Sequence, residues 1–276
     1  MLKLRIITAL LMATVFLLIL FMFPVWGFQW FAAIIVIVGA WEWANLAGFK
    51  SSLARLGFAV AIAASLLVLY SSCGFGGELL RLEFIKTLLL VACVWWAVAL
   101  LWVQSYPQSA LLWGNCWLRL LMGVLVLIPT WLALAYMLSL KNGEWLVLLA
   151  VFIVAIADSG GYFVGRSIGR RKLAVSVSPG KTWEGFWGGQ IGNVILALMV
   201  GFMASGSIYS FVLVVMMASL ASVLGDLLES MVKRHRGIKD SSQLLPGHGG
   251  ILDRVDGLTA ALPFFALGLL LSGWNF

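Results

Sequence analysis

The sequence predicts an all-α polytopic integral membrane protein of about nine transmembrane helices, N-terminus cytoplasmic and C-terminus outside. Three observations carry this reading. The 276 residues are 63% hydrophobic and 11% charged, with a mean hydropathy of +1.06, whereas a soluble domain carries roughly 25% charged residues. Nine apolar runs approach the roughly 20 residues a helix needs to cross a bilayer. Basic residues concentrate in alternate connections between those runs. No window is polar enough for a soluble domain, so residues 1–276 read as a single transmembrane domain.

The runs lie at about 5–23, 27–48, 54–71, 84–104, 119–139, 145–165, 185–204, 208–229 and 253–273. The first has the basic start of a signal peptide, but no small-residue cleavage site follows Phe23, so it reads as a retained span. Short connections separate several of the others: FPVWG, GFKSSLARLG and ASGSI. With the N-terminus inside, the inner segments hold Lys3, Arg5, Lys50, Arg55, Arg119, Arg166, Arg170, Arg171, Lys172, Lys181, Lys233, Arg234, Arg236, Lys239 and Arg254, 15 of the 18 basic residues. Only Arg81, Lys86 and Lys141 fall outside. This positive-inside pattern assigns much of the +7 net charge to topology and anionic headgroups, so the bilayer is the expected partner and nucleic acid is not. Cys73, Cys93 and Cys116 are odd in number and widely separated, which excludes a disulfide framework or a zinc site. Residues 1–144 read mainly as scaffold. The stretch from Asp158 to Asp256 holds seven of the 11 acidic and ten of the 18 basic residues, which places the candidate site in 145–276.

The eighth run, SLASVLGDLLESMVKRHRG, spaces Ser222, Asp226, Glu229 and Lys233 at steps of four, three and four, along one helix face. At 1.5 Å per residue Asp226 lies roughly 5 Å inside the hydrocarbon boundary, where an unpaired carboxylate costs up to about 2.5–3.5 kcal/mol. Either a salt bridge to Lys233 or Arg234 compensates it, or a ligand does. Asp253 and Asp256 are three apart at the start of the ninth run, so on a helix their Cβ atoms sit about 5–6 Å apart. A divalent cation relieves their repulsion, and Mg²⁺ suits one or two carboxylates with water and phosphates completing its shell. Asp226 is a natural third contributor. Alternatively, Arg254 neutralises one Asp, and the pair simply favours a helix start.

The preceding PGHGG offers bare backbone N–H groups at Gly249 and Gly250 before a helix N-terminus, an anion-binding arrangement, with His248 as a further donor. The loop VKRHRGIKD adds Lys233, Arg234, Arg236 and Lys239. A metal together with phosphates accounts for both signs of charge. In the other long inner loop, RSIGRRKLAVSVSPGKTWEG, the GKT triplet is no Walker A motif, because Val175 stands where its first Gly is required. Ser178, Lys181 and Thr182 nevertheless place a cation and two hydroxyls before the seventh run, as phosphate ligands or as snorkelling and capping groups. Asp158, Tyr162 and Arg166 form another polar line, and Gly161, Gly165 and Gly169 suit close helix packing.

These residues resemble the signature of the phosphatidate cytidylyltransferases, also called CDP-diacylglycerol synthases: Ser, Lys-Arg, Lys-Asp, His-Gly-Gly, Asp-Arg and a final Asp at fixed intervals. The run SMVKRHRGIKDSSQLLPGHGGILDRVD, 27 residues from Ser230 to Asp256, fits without departure. ADSGGYFVGRSIGR and VSPGKTWEG are similar as well, although SPGKT stands where members often show SPKKT. The resemblance implies transfer of the cytidylyl group of CTP to phosphatidic acid, giving CDP-diacylglycerol and pyrophosphate for phospholipid biosynthesis. It implies a site facing the cytoplasm in the cell's inner (cytoplasmic) membrane, with Mg²⁺, room for a second, monovalent cation such as K⁺, and a homodimer. The catalytic residues expected are Asp226, Lys233, Asp253 and Asp256, with Asp226, Asp253 and Asp256 holding the metal. Substrate binding is expected from Lys181, Ser178, Thr182, Arg234, Lys239, His248, Gly249, Gly250 and Arg254. Phosphatidate, with a second phosphate pKa near 6, is largely ionised at pH 7, so charge neutralisation outweighs any need for a strong base.

Two other readings compete. A CDP-alcohol phosphotransferase also uses membrane aspartates and Mg²⁺, but Ala261 stands where its motif needs Arg, and no Asp follows Asp256. A cation transporter would use intramembrane Asp158 and Asp226 as an ion path, but the chain shows no internal repeat, and a transporter has no need of a basic loop ending in His-Gly-Gly.

Overall fold

The computed structural model describes residues 2–77, 79–203 and 207–272, except for the side chains of 2–5 and 203. The expected ASGSI turn and residue 273 of the ninth span lie partly or wholly outside these residues, as do the side chains of Lys3 and Arg5. Ten helices follow in order: α1 (Leu2–Met22), α2 (Val25–Ala47), α3 (Ser52–Cys73), α4 (Leu82–Gln104), α5 (Ala110–Trp113), α6 (Cys116–Leu138), α7 (Gly143–Ile168), α8 (Trp183–Met203), α9 (Ile208–Arg236) and α10 (Leu252–Ser272). Between α7 and α8 stand two short strands, β1 (Lys172–Ala174) and β2 (Ser178–Thr182). Among the described residues eight helices are long and apolar enough to cross a membrane, and α1 adds a shorter apolar stretch, Ile6–Met22. The nine expected spans thus each have a helix.

Local chemistry sets the breaks. Pro24, extended at φ −64° and ψ 158°, precedes α2. Glycines in the left-handed region end α2 at Gly48, α3 at Gly74 and α9 at Gly237, where a side chain would be strained. The Asn115 side chain accepts the Trp117 N–H at 2.8 Å and caps α6.

Two features depart from the expected layout. The basic run after residue 229 is helix rather than loop: α9 continues to Arg236, gathering Lys233, Arg234, His235 and Arg236 in its last turn, where the helix dipole favours positive charge. The SPGKT stretch is strand β2, paired antiparallel with β1 in the register Lys172↔Thr182 and Ala174↔Ser178. This hairpin is a small addition to an otherwise helical architecture.

The interior is built where α2, α6, α9 and α10 meet, around buried Trp43, Trp131, Phe211 and Phe265. Since lipid is as apolar as leucine, helix association in a bilayer relies on close packing and interhelical hydrogen bonds. Both occur. Gln29 Nε2 donates to the Ala135 carbonyl at 3.2 Å while Trp131 Nε1 donates back to the Gln29 carbonyl at 3.1 Å. Thr130 Oγ1 reaches the Thr259 carbonyl at 3.1 Å, and Asn193 Nδ2 ties α8 to Ile153 and Ser219. Helices α7 and α8 meet along a glycine seam in which Gly165 faces Gly185 and Gly160 faces Gly189, as the spacing of Gly161 and Gly165 leads one to expect.

That seam is testable against an open position. A Cβ on Gly189 would stand 2.5 Å from the Ala157 carbonyl oxygen, whereas one on Gly57 would meet nothing within 4 Å. Gly189→Ala is expected to lower stability by about 1–3 kcal/mol, read as a lower melting temperature in detergent. Gly57→Ala is expected to leave it unchanged or raise it by up to about 1 kcal/mol.

Candidate active site

The last two helices approach each other at backbone level. A Cβ on Gly225 would collide with the Asp256 carbonyl, so glycine there lets α9 and α10 touch and sets Asp226 beside the first turn of α10. The predicted polar stripe on α9 faces this contact: Ser222, Glu229 and Lys233 are buried and Asp226 is half-buried. Lys233 Nζ sits between two carboxylates, 3.1 Å from Glu229 Oε1 and 2.6 Å from Asp253 Oδ1. This ammonium straps α9 to α10.

Asp226 is compensated by neither of the cations expected. Its Oδ2 pairs with Lys181 Nζ at 2.6 Å, a lysine carried on β2, and its Oδ1 accepts from Ser230 Oγ at 3.1 Å. Arg234 instead donates to the Val177 carbonyl at 3.3 Å and holds the hairpin turn. Thr182 is buried, and its Oγ1 accepts the Gly185 N–H at 3.2 Å, the capping role. Arg254 forms no ion pair among the described residues; its Nε donates to the His248 carbonyl at 3.1 Å.

Asp253 joins the loop that precedes α10 to α9. Its Oδ1 is taken by Lys233, and its Oδ2 accepts Gly250 N–H at 2.8 Å, Ser241 N–H at 2.9 Å and Ser241 Oγ–H at 2.9 Å. A carboxylate so engaged fastens the loop to α9, much as Lys181 and Ser230 engage both oxygens of Asp226. Asp256 spends Oδ1 on the Gly257 N–H at 2.8 Å and lies within electrostatic reach of Asp226 and Asp158. Two carboxylates with water and phosphate oxygens fit the coordination habits of Mg²⁺.

The PGHGG backbone is likewise occupied by the chain itself. Gly247 and Gly249 turn the loop at φ 76° and 82°, and Leu245 bridges to Gly249. Gly250 N–H goes to Asp253, while Ile251 and Leu252 N–H go to a residue outside every predicted set, Glu42 of α2, at 3.0 and 2.8 Å. Gly250 is therefore not a free anion donor. The sequence did carry a signal for Glu42, a lone carboxylate within the span 27–48, and an ionisable residue inside a span is functional by default.

Two cavities flank this centre. The first, ≈ 570 Å³, mixes Tyr162, Phe186, Leu173 and Val223 with Asp158, Ser178, Lys181 and Asp226. The second, ≈ 600 Å³, is lined by Lys239, Asp240, Ser242, Gln243, His248, Gly249 and Arg254 among others. Of the predicted substrate residues, Ser178, Lys181 and Thr182 line the first, Lys239, His248, Gly249 and Arg254 line the second, and Arg234 and Gly250 line neither. Asp158, noted in the sequence as part of a polar line and as an ion-path candidate, belongs to the first.

Comparison with known proteins adds a family. The model of the cytidylyltransferase family matches residues 3–271. A phosphatidate cytidylyltransferase of Pseudomonas aeruginosa is 43% identical over 278 residues, covering 100% of this chain and 99% of the relative. One of Haemophilus influenzae is 40% identical over 283 residues, covering 96% and 98%. One of Bacillus subtilis is 42% identical over 135 residues, about half of each chain (47% and 50%).

The Lys233 strap has a measurable weight. Lys233→Met leaves Glu229 and Asp253 buried without their shared cation, an arrangement that costs about 3–5 kcal/mol. Thermal unfolding in detergent is expected to show that loss, whereas Lys239→Met, at an exposed position, is expected to stay within about 0.5 kcal/mol of the parent.

Proposed function

The chain belongs to the cytidylyltransferase family, and on that premise we propose that it transfers the cytidylyl group of CTP to phosphatidic acid, releasing pyrophosphate and forming CDP-diacylglycerol. The observation that carries this reading is the first cavity. Its lining joins apolar Leu173, Phe186 and Val223 to charged Asp158, Arg166 and the Lys181–Asp226 pair, which suits a lipid whose tails remain in the bilayer while its phosphate meets a cation. The polar second cavity, with Lys239 and Arg254 on its rim, suits the nucleotide. The transporter and CDP-alcohol phosphotransferase readings gain no support from the relatives found.

In the reaction a phosphatidate oxygen attacks the α-phosphorus of CTP, a new P–O bond forms, and the bond to the β-phosphate breaks, with pyrophosphate leaving. The obstacle is repulsion between two anions, so the protein's contribution is positioning and charge neutralisation. Lys181 orients the lipid phosphate from β2. Arg254 and Lys239 hold the triphosphate. Lys233 keeps α9 and α10 in register, so that Asp226 and Asp256 stay paired. Asp226 and Asp256 are the residues that would hold Mg²⁺, which supplies neutralisation of phosphate charge when bound. The basic residues gathered at the site's end of the helices support a cytoplasm-facing site in the inner membrane. The family resemblance supports a homodimer.

Purified protein given CTP, phosphatidic acid and Mg²⁺ is expected to release pyrophosphate and form a liponucleotide. Asp256→Asn is expected to lower turnover by at least ~10²-fold with an unchanged melting temperature. Absence of turnover by the parent protein would reject the reaction, and a fully active Asn variant would reject the metal seat.

A further inference from the structure

We propose that Glu42, from the scaffold half of the chain, is a positioning residue for the site: a buried carboxylate that caps α10 from another helix and fixes the turn bearing Asp253 and Asp256. This rests on the functional reading above. Glu42 is 0% exposed, and both of its oxygens accept hydrogen bonds from the same segment. Oε1 accepts from Ser242 Oγ at 2.5 Å and Ile251 N–H at 3.0 Å; Oε2 accepts from Leu252 N–H at 2.8 Å and lies 3.4 Å from Ser241 Oγ, whose proton goes to Asp253. These three donors come from one segment about 200 residues further along the chain. No lysine or arginine pairs with it among the described residues. Its charge is instead answered by those donors and by the positive end of α10.

The placement determines what the carboxylate can do. The two N–H groups it accepts belong to the residue before α10 and the first residue within it, so Glu42 fixes how far α10 is pulled toward α2 and how it is rotated. Asp253 is the next residue and Asp256 is one turn on. Gly250 shows how closely the segment is seated, since a Cβ there would fall onto both Ser241 Oγ and Glu42 Oε1. The neighbouring Asn45 fastens the same segment, its Nδ2 donating to the Ser241 carbonyl at 3.2 Å. Glu42 lines neither cavity itself, so its influence passes through what it holds: the backbone of Ile251 and Leu252, and Ser242 of the second cavity.

Glu42→Gln tests this with little change of size. The amide brings N–H groups to face the N–H of Leu252 or Ile251, a donor against a donor. Hydrogen exchange of the full-length protein in detergent is expected to show amides 250–256 exchanging at least ~10-fold faster while α6 is unchanged. With CTP and phosphatidic acid, kcat is expected to fall ~10- to 10²-fold, the loss a misplaced catalytic group produces. The Mg²⁺ concentration for half-maximal rate is expected to rise, and KM for CTP to change little. Wild-type exchange at 250–256, or faster exchange through every helix with a rate loss equal to the unfolded fraction, would overturn the assignment. Should Glu42→Gln not fold, Ser242→Ala decides, because it removes one donor and keeps the carboxylate: faster exchange confined to 241–256 supports the proposal and parental exchange overturns it. A parent protein inactive on these substrates would remove the functional reading while the exchange result still decided the role of Glu42.

Discussion

The backbone contact between α9 and α10 is the constraint on which the rest of the structure depends. Two helices bearing four carboxylates at their contact would separate without the one lysine between them, because like charges at short range in a poorly polarisable medium repel strongly. Gly225 removes the steric barrier to approach, and Lys233 supplies the cation that Glu229 and Asp253 share. Approach and compensation require each other. Without the glycine the lysine cannot reach across, and without the lysine the buried acids make the approach unfavourable.

The remaining charges follow from that contact by local compensation. Lys181 reaches Asp226 because the β-hairpin turns SPGKT back over the end of α9, and Arg234 holds that hairpin by the Val177 carbonyl. Asp253 and Glu42 together accept the N–H groups of residues 250–252 and the hydroxyls of Ser241 and Ser242. The loop that resembles an anion site in the sequence is thus already filled by the protein's own anions. The consequence is rigidity: the glycines permit the turns, and the carboxylates lock them. Functional sites supported in this way hold their reacting groups in place before substrate arrives.

How much of this the sequence disclosed depended on the range of the interaction. Spans were legible because burial in lipid is written into composition, residue by residue. The stripe Ser222, Asp226, Glu229, Lys233 was legible because helical periodicity is local, and so was the concentration of charge after Asp158. Partners were not legible. Nothing in the spacing distinguishes Lys181 from Arg234 as the companion of Asp226, since the choice is made by a hairpin whose two strands are only three and five residues long. Asp253 and Asp256 look equivalent in sequence, and only the positions of Lys233 and Ser241 show that Asp253 fastens the loop. Glu42 was visible as an anomaly in an apolar span, but its role rests on contacts across some 200 positions, which no periodicity reports. The extension of α9 to Arg236 was hidden because a basic run reads as loop until its lysine is seen to be buried.

Binding of Mn²⁺ as a Mg²⁺ surrogate, followed by electron paramagnetic resonance in the parent, Asp226→Asn, Asp256→Asn and the double variant, tests the apposition of α9 and α10 most directly. Residues that share one ion act as a unit, so either substitution alone is expected to remove most of the affinity and the second to add little. Losses that simply add, or an unchanged affinity in Asp226→Asn, would contradict a cation seat built across the two helices.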